Sequence, residues 1–494
     1  MEIIYTKPES VNSLMEAAWE AFAVYQQTSL QTRAALMREI ALQLEALGDA
    51  WIHTAMEETH LPEARLRGER ARTIFQLNSY ADACERGDWL EACIDTAIPD
   101  KAPPKPDLRK MRVGIGPVLV FGASNFPYAY STAGGDTATA LAAGCPVIVK
   151  AHPAHPKTSS MAASAIANAV SIMQLPTAVF THVHDDGLAT THALIQHHYT
   201  KAVGFTGSYQ GGKAIFDMAN QRKEPIPIFA EMGSINPVFL FPEKLASEAA
   251  TIAQMYAGSI TLGMGQFCTN PGLIIGIASP ALNEFIQTLS KAIEQVAQAP
   301  MLHAGIAANY EKNRLTALSV TGVTVATAAV SNEDGLLPMP TIATTSATNF
   351  LAQPQLQEEV FGPYSLVVQC VDMNEMLAVA NQIHGQLTAT CMATEAEAAA
   401  NTVMIQQIQQ LCGRIIFNGV PTGVEVCLSM HHGGPFPAST DSRFGSVGAD
   451  GIKRFSRPIA FQNWPDALLP DALKRDNPLN IWRTVNDQLT KAPA

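Results

Sequence analysis

The chain changes rhythm near residue 116, and that change limits its fold more than any other feature. From VLVFG at 118–122 onward, short apolar runs alternate with Ala-rich helical stretches. The order is TATALAAG, PVIVK, SSMAASAIANAVSIM, AVFTHV, a further helix, AVGFTGS at 202–208 and another helix. Strands alternating with helices of this length predict parallel βαβ units. In such sheets ligands bind where strand C-termini open between helices, and a nucleotide cofactor is the natural occupant.

Upstream, residues from Ser10 to about Arg70 carry apolar positions at helical spacing, with Ser10 or Asn12 available as an N-cap. The segment DTAIPDKAPPKPDLRKMRVGIGPVLVFG begins as a Pro-rich linker and ends in two extended runs around Gly114-Ile115-Gly116-Pro117. A second α/β region follows from about 233 to 435, with SEAATIAQMYAGSI as helix and SLVVQCV as strand. The Ala- and Met-rich stretch 377–410 reads as packed helix.

Composition excludes several function classes. Charged residues make up only 15% of 494, against about 25% in an ordinary soluble protein, which points to surface covered by self-association. A net charge of −12 disfavours nucleic acid and anionic membranes as partners. The eight cysteines are scattered without a C-x-x-C pair, the usage of a reduced cytoplasm. The N-terminus lacks the basic and apolar regions of a signal peptide, and no apolar run is long enough to span a bilayer.

Three short pieces carry candidate chemistry. In GFTGS, Gly207 lets the backbone approach a phosphate and Ser208 can cap a helix whose N-terminus attracts it, although a plain cap has the same sequence. In FAEMGSINPV, Glu231 lies in an apolar run. Desolvated, it would have a raised pKa suited to a general base; facing water, it would be an ordinary strand-end Glu. In GMGQFCTNPG, Cys268 sits on a turn fenced by Gly and Pro, either as a core thiol or as a nucleophile held open to substrate.

Together, and in this order, these pieces resemble the aldehyde dehydrogenase superfamily over nearly the whole chain. The matching motifs are Asn125-Phe126-Pro127, Val147-Ile148-Val149-Lys150, Gly204 to Ser208, Glu231-Met232-Gly233, Gly265 to Cys268, and Glu359-Val360-Phe361-Gly362-Pro363. The resemblance implies an α/β fold with two parallel-sheet, Rossmann-like domains and a small β arm that bridges subunits of a homodimer or homotetramer. Its boundaries would be 1–97 with 116–232 for coenzyme binding, 233–435 for catalysis, and 98–115 with 436–494 for the arm and C-terminal segment. It implies Cys268 as nucleophile, Asn125 and the Cys268 N–H as oxyanion donors, and Glu231 as the base that hydrolyses a thioester. By the same carry-over Glu359 would hold the nicotinamide ribose with Phe361 nearby, and Lys150 the adenosine ribose.

Family members that favour NAD often carry a Glu where this chain has His152. Losing that carboxylate removes a repulsion of a 2′-phosphate, so NADP is expected, with NAD as the alternative, Lys150 as phosphate partner and Lys213 as a further charge. The stretches 121–159 and 431–473 are similar to the 2-oxoglutarate semialdehyde (2,5-dioxopentanoate) dehydrogenases. Such a substrate calls for a cation, for which Arg443 is the candidate, while Phe126, Tyr130 and Phe267 can line the pocket. Neighbouring relatives take medium- or long-chain aliphatic aldehydes. Rival readings are a thiol hydrolase, a coenzyme-A-acylating variant, and a spent member of the fold that only binds. No metal is expected, and His182, His184, His431 and His432 read as surface-loop histidines.

Overall fold

The computed structural model describes residues 3–185, 187–328 and 335–494. Its first sheet is the one expected from the apolar runs. Five parallel strands stand in the spatial order Phe180–Val183, Val147–Lys150, Val118–Phe121, Ala202–Thr206, Ile228–Glu231. The chain starts this sheet in the middle, builds outward on one side, then returns and builds on the other. Strands Val118–Phe121 and Ala202–Thr206 are therefore neighbours whose following segments diverge, which opens a crevice at their C-terminal ends. The strand Val118–Phe121 is buried throughout, as a sheet covered by helices on both faces requires.

The second sheet has seven strands, ordered Thr324–Val325, Thr341–Ser346, Tyr364–Cys370, Leu273–Ile277, Val238–Leu240, Gln386–Met392, Cys412–Phe417. All its pairings are parallel except the short edge strand Thr324–Val325. Gln386–Met392 corrects the expectation of continuous helix over 377–410: this strand separates helices Met373–Gln382 and Glu395–Ala400. Its sequence, QLTATCM, alternates polar and apolar residues as a strand does, yet all seven residues are buried.

A third sheet joins distant parts of the chain, in the order Ser456–Gln462, Leu108–Gly114, Cys93–Asp95, Arg483–Val485, Gln488–Thr490. Its inclusion of Cys93–Asp95 sets it apart from the expected arm, which began at 98. Between the second and third sheets, the segment 430–446 runs back onto the first. Met232 N–H donates to Ala438 O (2.8 Å) and Thr440 N–H to Ala230 O (3.0 Å). Among the described residues no helix is long and apolar enough to cross a membrane.

Candidate active site

A cleft of about 650 Å³ opens where the first sheet's crevice faces the second sheet. It brings together Cys268, Glu231, Asn125, Lys150, His152, Gly207, Ser208, Glu359, Phe361, Phe126 and Tyr130. Phe267 stands just behind, its ring edge-on to Phe126 with centroids 5.6 Å apart. Arg443 is not brought in. Its side chain is 77% exposed and pairs with Asp441 at 2.6 Å, because a local carboxylate two residues away satisfies it at the surface.

The Cys268 loop is fixed from several sides. Gly263, Met264 and Gly265 are successive left-handed residues (φ 53°, 56° and 64°), a strained path that persists only where surroundings enforce it. A side chain at Gly265 would run into the Gly362 backbone, and Asn270 Nδ2 donates to Gly362 O at 3.0 Å. Asn236 Nδ2 donates to the carbonyls of Cys268 and Asn270, both at 2.9 Å. The Cys268 loop is thereby tied to the Glu359–Pro363 loop, so both enter the cleft in fixed relation.

Sequence reasoning missed a residue in contact with the thiol. His432 Nε2 lies 3.5 Å from Cys268 Sγ and 3.0 Å from Glu231 Oε1, and the side chain is almost fully buried. The expectation of a surface-loop histidine is therefore wrong for His432. His182 and His184 are also held, on Ser159 Oγ (2.7 Å) and Ser160 Oγ (2.9 Å). The ligand atoms of Glu231, Cys268 and His432 lie within 4.8 Å of one another, a spacing that can hold a metal ion. The adjacent pair His431-His432 in a Gly-rich stretch was the only sequence signal.

Electrostatics assign different states to the two expected catalytic groups. Burial pushes the Cys268 thiol well above 9, and the charges of Glu231 and Glu359 push the same way, with Arg72 opposing. Burial also raises Glu231, but the His432 charge and hydrogen bonds from His432 and Ser446 outweigh it and hold the carboxyl below its ordinary range. The raised pKa expected for Glu231 is thus corrected: Ser446 Oγ donates to Oε2 at 2.5 Å, from a segment 215 residues downstream. Asn125 Nδ2 donates one N–H to Gln266 O at 3.1 Å, leaving its second N–H for another acceptor.

The remainder of the cleft suits a nicotinamide dinucleotide. Ser208 Oγ accepts from Gly211 N–H (3.2 Å) and caps helix Tyr209–Asn220, whose N-terminus presents donors to an anion. A side chain at Gly207 would meet the Phe205 ring at 2.7 Å, so the backbone there stays open to close approach. Lys150 ends its strand partly buried, and burial draws its pKa down. His152 is held well below its usual range by burial and by neighbouring His155, Lys150 and His303, so it is neutral. Glu359, half-buried, is raised by desolvation to about 7 and accepts only weakly from Ser234 N–H at 3.4 Å. Lys213 is drawn away to Asp217 at 2.6 Å and adds no free charge, contrary to expectation.

Comparison with known proteins agrees with this geometry. A model of the aldehyde dehydrogenase family matches residues 1–457. The chain belongs to the aldehyde dehydrogenase family. It is 46% identical over 474 residues to alpha-ketoglutaric semialdehyde dehydrogenase 2 of Azospirillum brasilense, covering 96% of this chain and 90% of that protein. It is 43% identical over 485 residues to alpha-ketoglutaric semialdehyde dehydrogenase of Acinetobacter baylyi, covering 98% and 92%. Among solved structures, glyceraldehyde-3-phosphate dehydrogenase GapN of Methanocaldococcus jannaschii, in complex with NADP, superposes with a TM-score of 0.77 at 18% identity, covering 93% of this chain and 95% of that one, and so shares the fold. This aldehyde dehydrogenase is an aldehyde-oxidising enzyme of a family that uses NAD(P).

Proposed function

We propose that this aldehyde dehydrogenase oxidises 2,5-dioxopentanoate to 2-oxoglutarate, with NADP preferred and NAD as the alternative. The observation that carries the chemistry is the contact of Cys268 with His432 and of His432 with Glu231 inside one cleft. The substrate assignment is supported by the high identity to two relatives named for that semialdehyde.

A thiol raised well above 9 is protonated at neutral pH, so addition to the aldehyde needs a base. With the imidazole neutral and its proton on Nδ1, His432 Nε2 takes the Cys268 proton as sulfur bonds to the aldehyde carbon; the N–H so formed points to ionised Glu231, 3.0 Å away, which stabilises the imidazolium. The second Asn125 N–H and the Cys268 backbone N–H receive the oxyanion. Lys150, Ser208, Glu359 and Phe361 hold the coenzyme, which when bound supplies the hydride acceptor that turns the thiohemiacetal into a thioester. Water then attacks the thioester. Glu231 accepts the water's proton, the carboxylic acid leaves, and His432 returns a proton to sulfur.

NADP preference is supported by the stretch Lys150-Ala151-His152-Pro153, which carries no carboxylate to repel a 2′-phosphate and in which His152 is neutral. The first sheet carries coenzyme binding, the second catalysis, and the third sheet bridges subunits of a homodimer or homotetramer. Exposed Leu468 and Leu489 at 68% and 70% on that third unit support such an interface. Eight free cysteines suit a reduced cytoplasm.

The test is reduced-nicotinamide formation with 2,5-dioxopentanoate and with pentanal, each with NADP and NAD. Higher kcat/KM for the dioxo acid with NADP is expected. A preference for pentanal would move the substrate to aliphatic aldehydes, a reading that the aromatic wall of Phe126, Tyr130 and Phe267 also accommodates.

A further inference from the structure

With Arg443 turned to solvent, the reading above still lacks a group that recognises the acid end of its substrate. Helix Glu63–Arg86 supplies one. Arg65, Glu69 and Arg72 recur at i, i+4 and i+7, so they share one helix face, and that face meets the Asn125–Tyr130 loop. Arg65 Nη2 donates to Asn125 O at 2.6 Å. Glu69 Oε1 accepts from the N–H groups of Tyr128 (2.8 Å) and Ala129 (3.0 Å). Arg72 Nη2 donates to the Tyr130 hydroxyl at 3.1 Å.

Both arginines are incompletely satisfied. Arg65 Nη1 and Arg72 Nε are buried without a hydrogen-bond partner. Among the described residues neither forms an ion pair: Glu69 Oε1 accepts from two backbone donors, and Oε2 is buried without a hydrogen-bond partner, its charge acting on both guanidiniums from beyond ion-pair distance. A guanidinium withdrawn from water without an anion is costly, and an arriving carboxylate relieves that cost. The two differ in position. Arg65 is flanked by the rings of Phe126 and Phe267, at 5.0 and 4.7 Å from their centroids, and serves to set the aromatic wall. Arg72 reaches the Tyr130 hydroxyl, Tyr130 lines the cleft beside Cys268, and the charge of Arg72 acts on the Cys268 sulfur. Arg414 also has an Nε buried without a partner, but both of its Nη groups are bound to carbonyls, of Gly423 (3.0 Å) and Pro421 (2.6 Å), whereas among the described residues Arg72 holds only the Tyr130 hydroxyl.

We propose that Arg72, on helix Glu63–Arg86, receives the remote carboxylate of an ω-oxo acid whose aldehyde is presented to Cys268, with Arg65 positioning the wall between them. This rests on the oxo-acid reading of the site. A five-carbon chain spans roughly 5 Å between its terminal carbons when extended, given C–C bonds of about 1.5 Å. A short chain of this kind keeps its acid end within the neighbourhood of the nucleophile, where Arg72 and Tyr130 stand.

The experiment measures kcat and KM for 2,5-dioxopentanoate, 5-oxopentanoate and pentanal at saturating NADP. The proteins are the parent, Arg72→Gln, Arg72→Lys and Arg443→Gln. In Arg72→Gln the ratio of kcat/KM for 5-oxopentanoate to that for pentanal is expected to fall about 100-fold, chiefly through KM, since a buried charge-assisted contact is lost. Arg72→Lys should recover part of that ratio, and Arg443→Gln should leave it as in the parent. Inhibition by 2-oxoglutarate should weaken in parallel with the ratio. Equal losses on all three substrates, or a ratio within threefold of the parent in both Arg72 variants, would overturn the assignment. The parent's own preference between 2,5-dioxopentanoate and pentanal reports separately on the substrate reading. The 5-oxopentanoate ratio judges Arg72 whichever way that preference falls. Should Arg72→Gln fail to fold, Arg72→Lys and 2-oxoglutarate inhibition still decide.

Discussion

Replacing His432 by Gln isolates the step in which the thiol loses its proton. Burial and the charges of Glu231 and Glu359 push the Cys268 thiol well above its ordinary range, so at about pH 7.5 it is protonated in the absence of a base. A positioned base typically contributes about 10²–10⁴-fold, and His432 is the ring nitrogen 3.5 Å from that sulfur. The His432→Gln enzyme is therefore expected to form reduced coenzyme in its first turnover about 100-fold more slowly than the parent at pH 7.5. Because hydroxide can generate the thiolate instead, the deficit should shrink by about tenfold per pH unit toward the thiol pKa. Stopped-flow absorbance between pH 6.5 and 10 reads this directly, and alkylation of Cys268 by iodoacetamide gives the same profile without turnover. Circular dichroism checks that the variant is folded, since Glu231 loses the partner that offsets its burial. A first-turnover rate within threefold of the parent at pH 7.5, with the same pH profile, would refute the role.

Coenzyme affinity should strengthen with pH. Glu359 titrates at about 7, so its ionised fraction, the form that accepts from ribose hydroxyls, rises about tenfold between pH 6 and 8. Fluorescence titration with NAD should follow that rise, and Glu359→Gln should flatten it; an affinity that falls with pH would contradict the assignment. Zinc should inhibit at the Glu231, Cys268 and His432 cluster, since thiolate and imidazole are strong zinc ligands. Activity should survive a chelator, and His432→Gln should weaken zinc inhibition at least tenfold. Lys150→Ala should raise the KM for NADP about tenfold and that for NAD much less, as loss of one charge-assisted phosphate contact requires.

The first sheet was legible because each apolar run is bounded by a helix of different periodicity, and VLVF and VIVK carry no polar interruption. Gln386–Met392 was not: its Gln-Leu-Thr-Ala-Thr-Cys alternation is only six residues long and lies between Ala- and Met-rich helices whose composition dominated the reading of the wider stretch. The third sheet pairs Leu108–Gly114 with Ser456–Gln462, a register that neither segment encodes alone. Within the site, Cys268 and Glu231 stood out because each is a reactive side chain in an apolar or Gly-rich frame. His432 did not, being 164 residues from Cys268 with no ligand-like spacing between them. Its approach depends on segment 430–446 folding back on strand Ile228–Glu231, and that contact also reversed the expected pKa of Glu231. Arg443 shows the limit of counting charges: Asp441, two residues away, holds it at the surface, whereas the directed cations lie on a helix that precedes every recognised motif.

The most direct test of the whole scheme is the mass of the Cys268 peptide from Glu231→Gln enzyme quenched in acid after reaction with 2,5-dioxopentanoate and NADP. The scheme predicts one equivalent of reduced coenzyme in a burst and a 2-oxoglutaryl thioester on Cys268, released by hydroxylamine. Continuous turnover at the parent's rate with an unmodified Cys268 would contradict it.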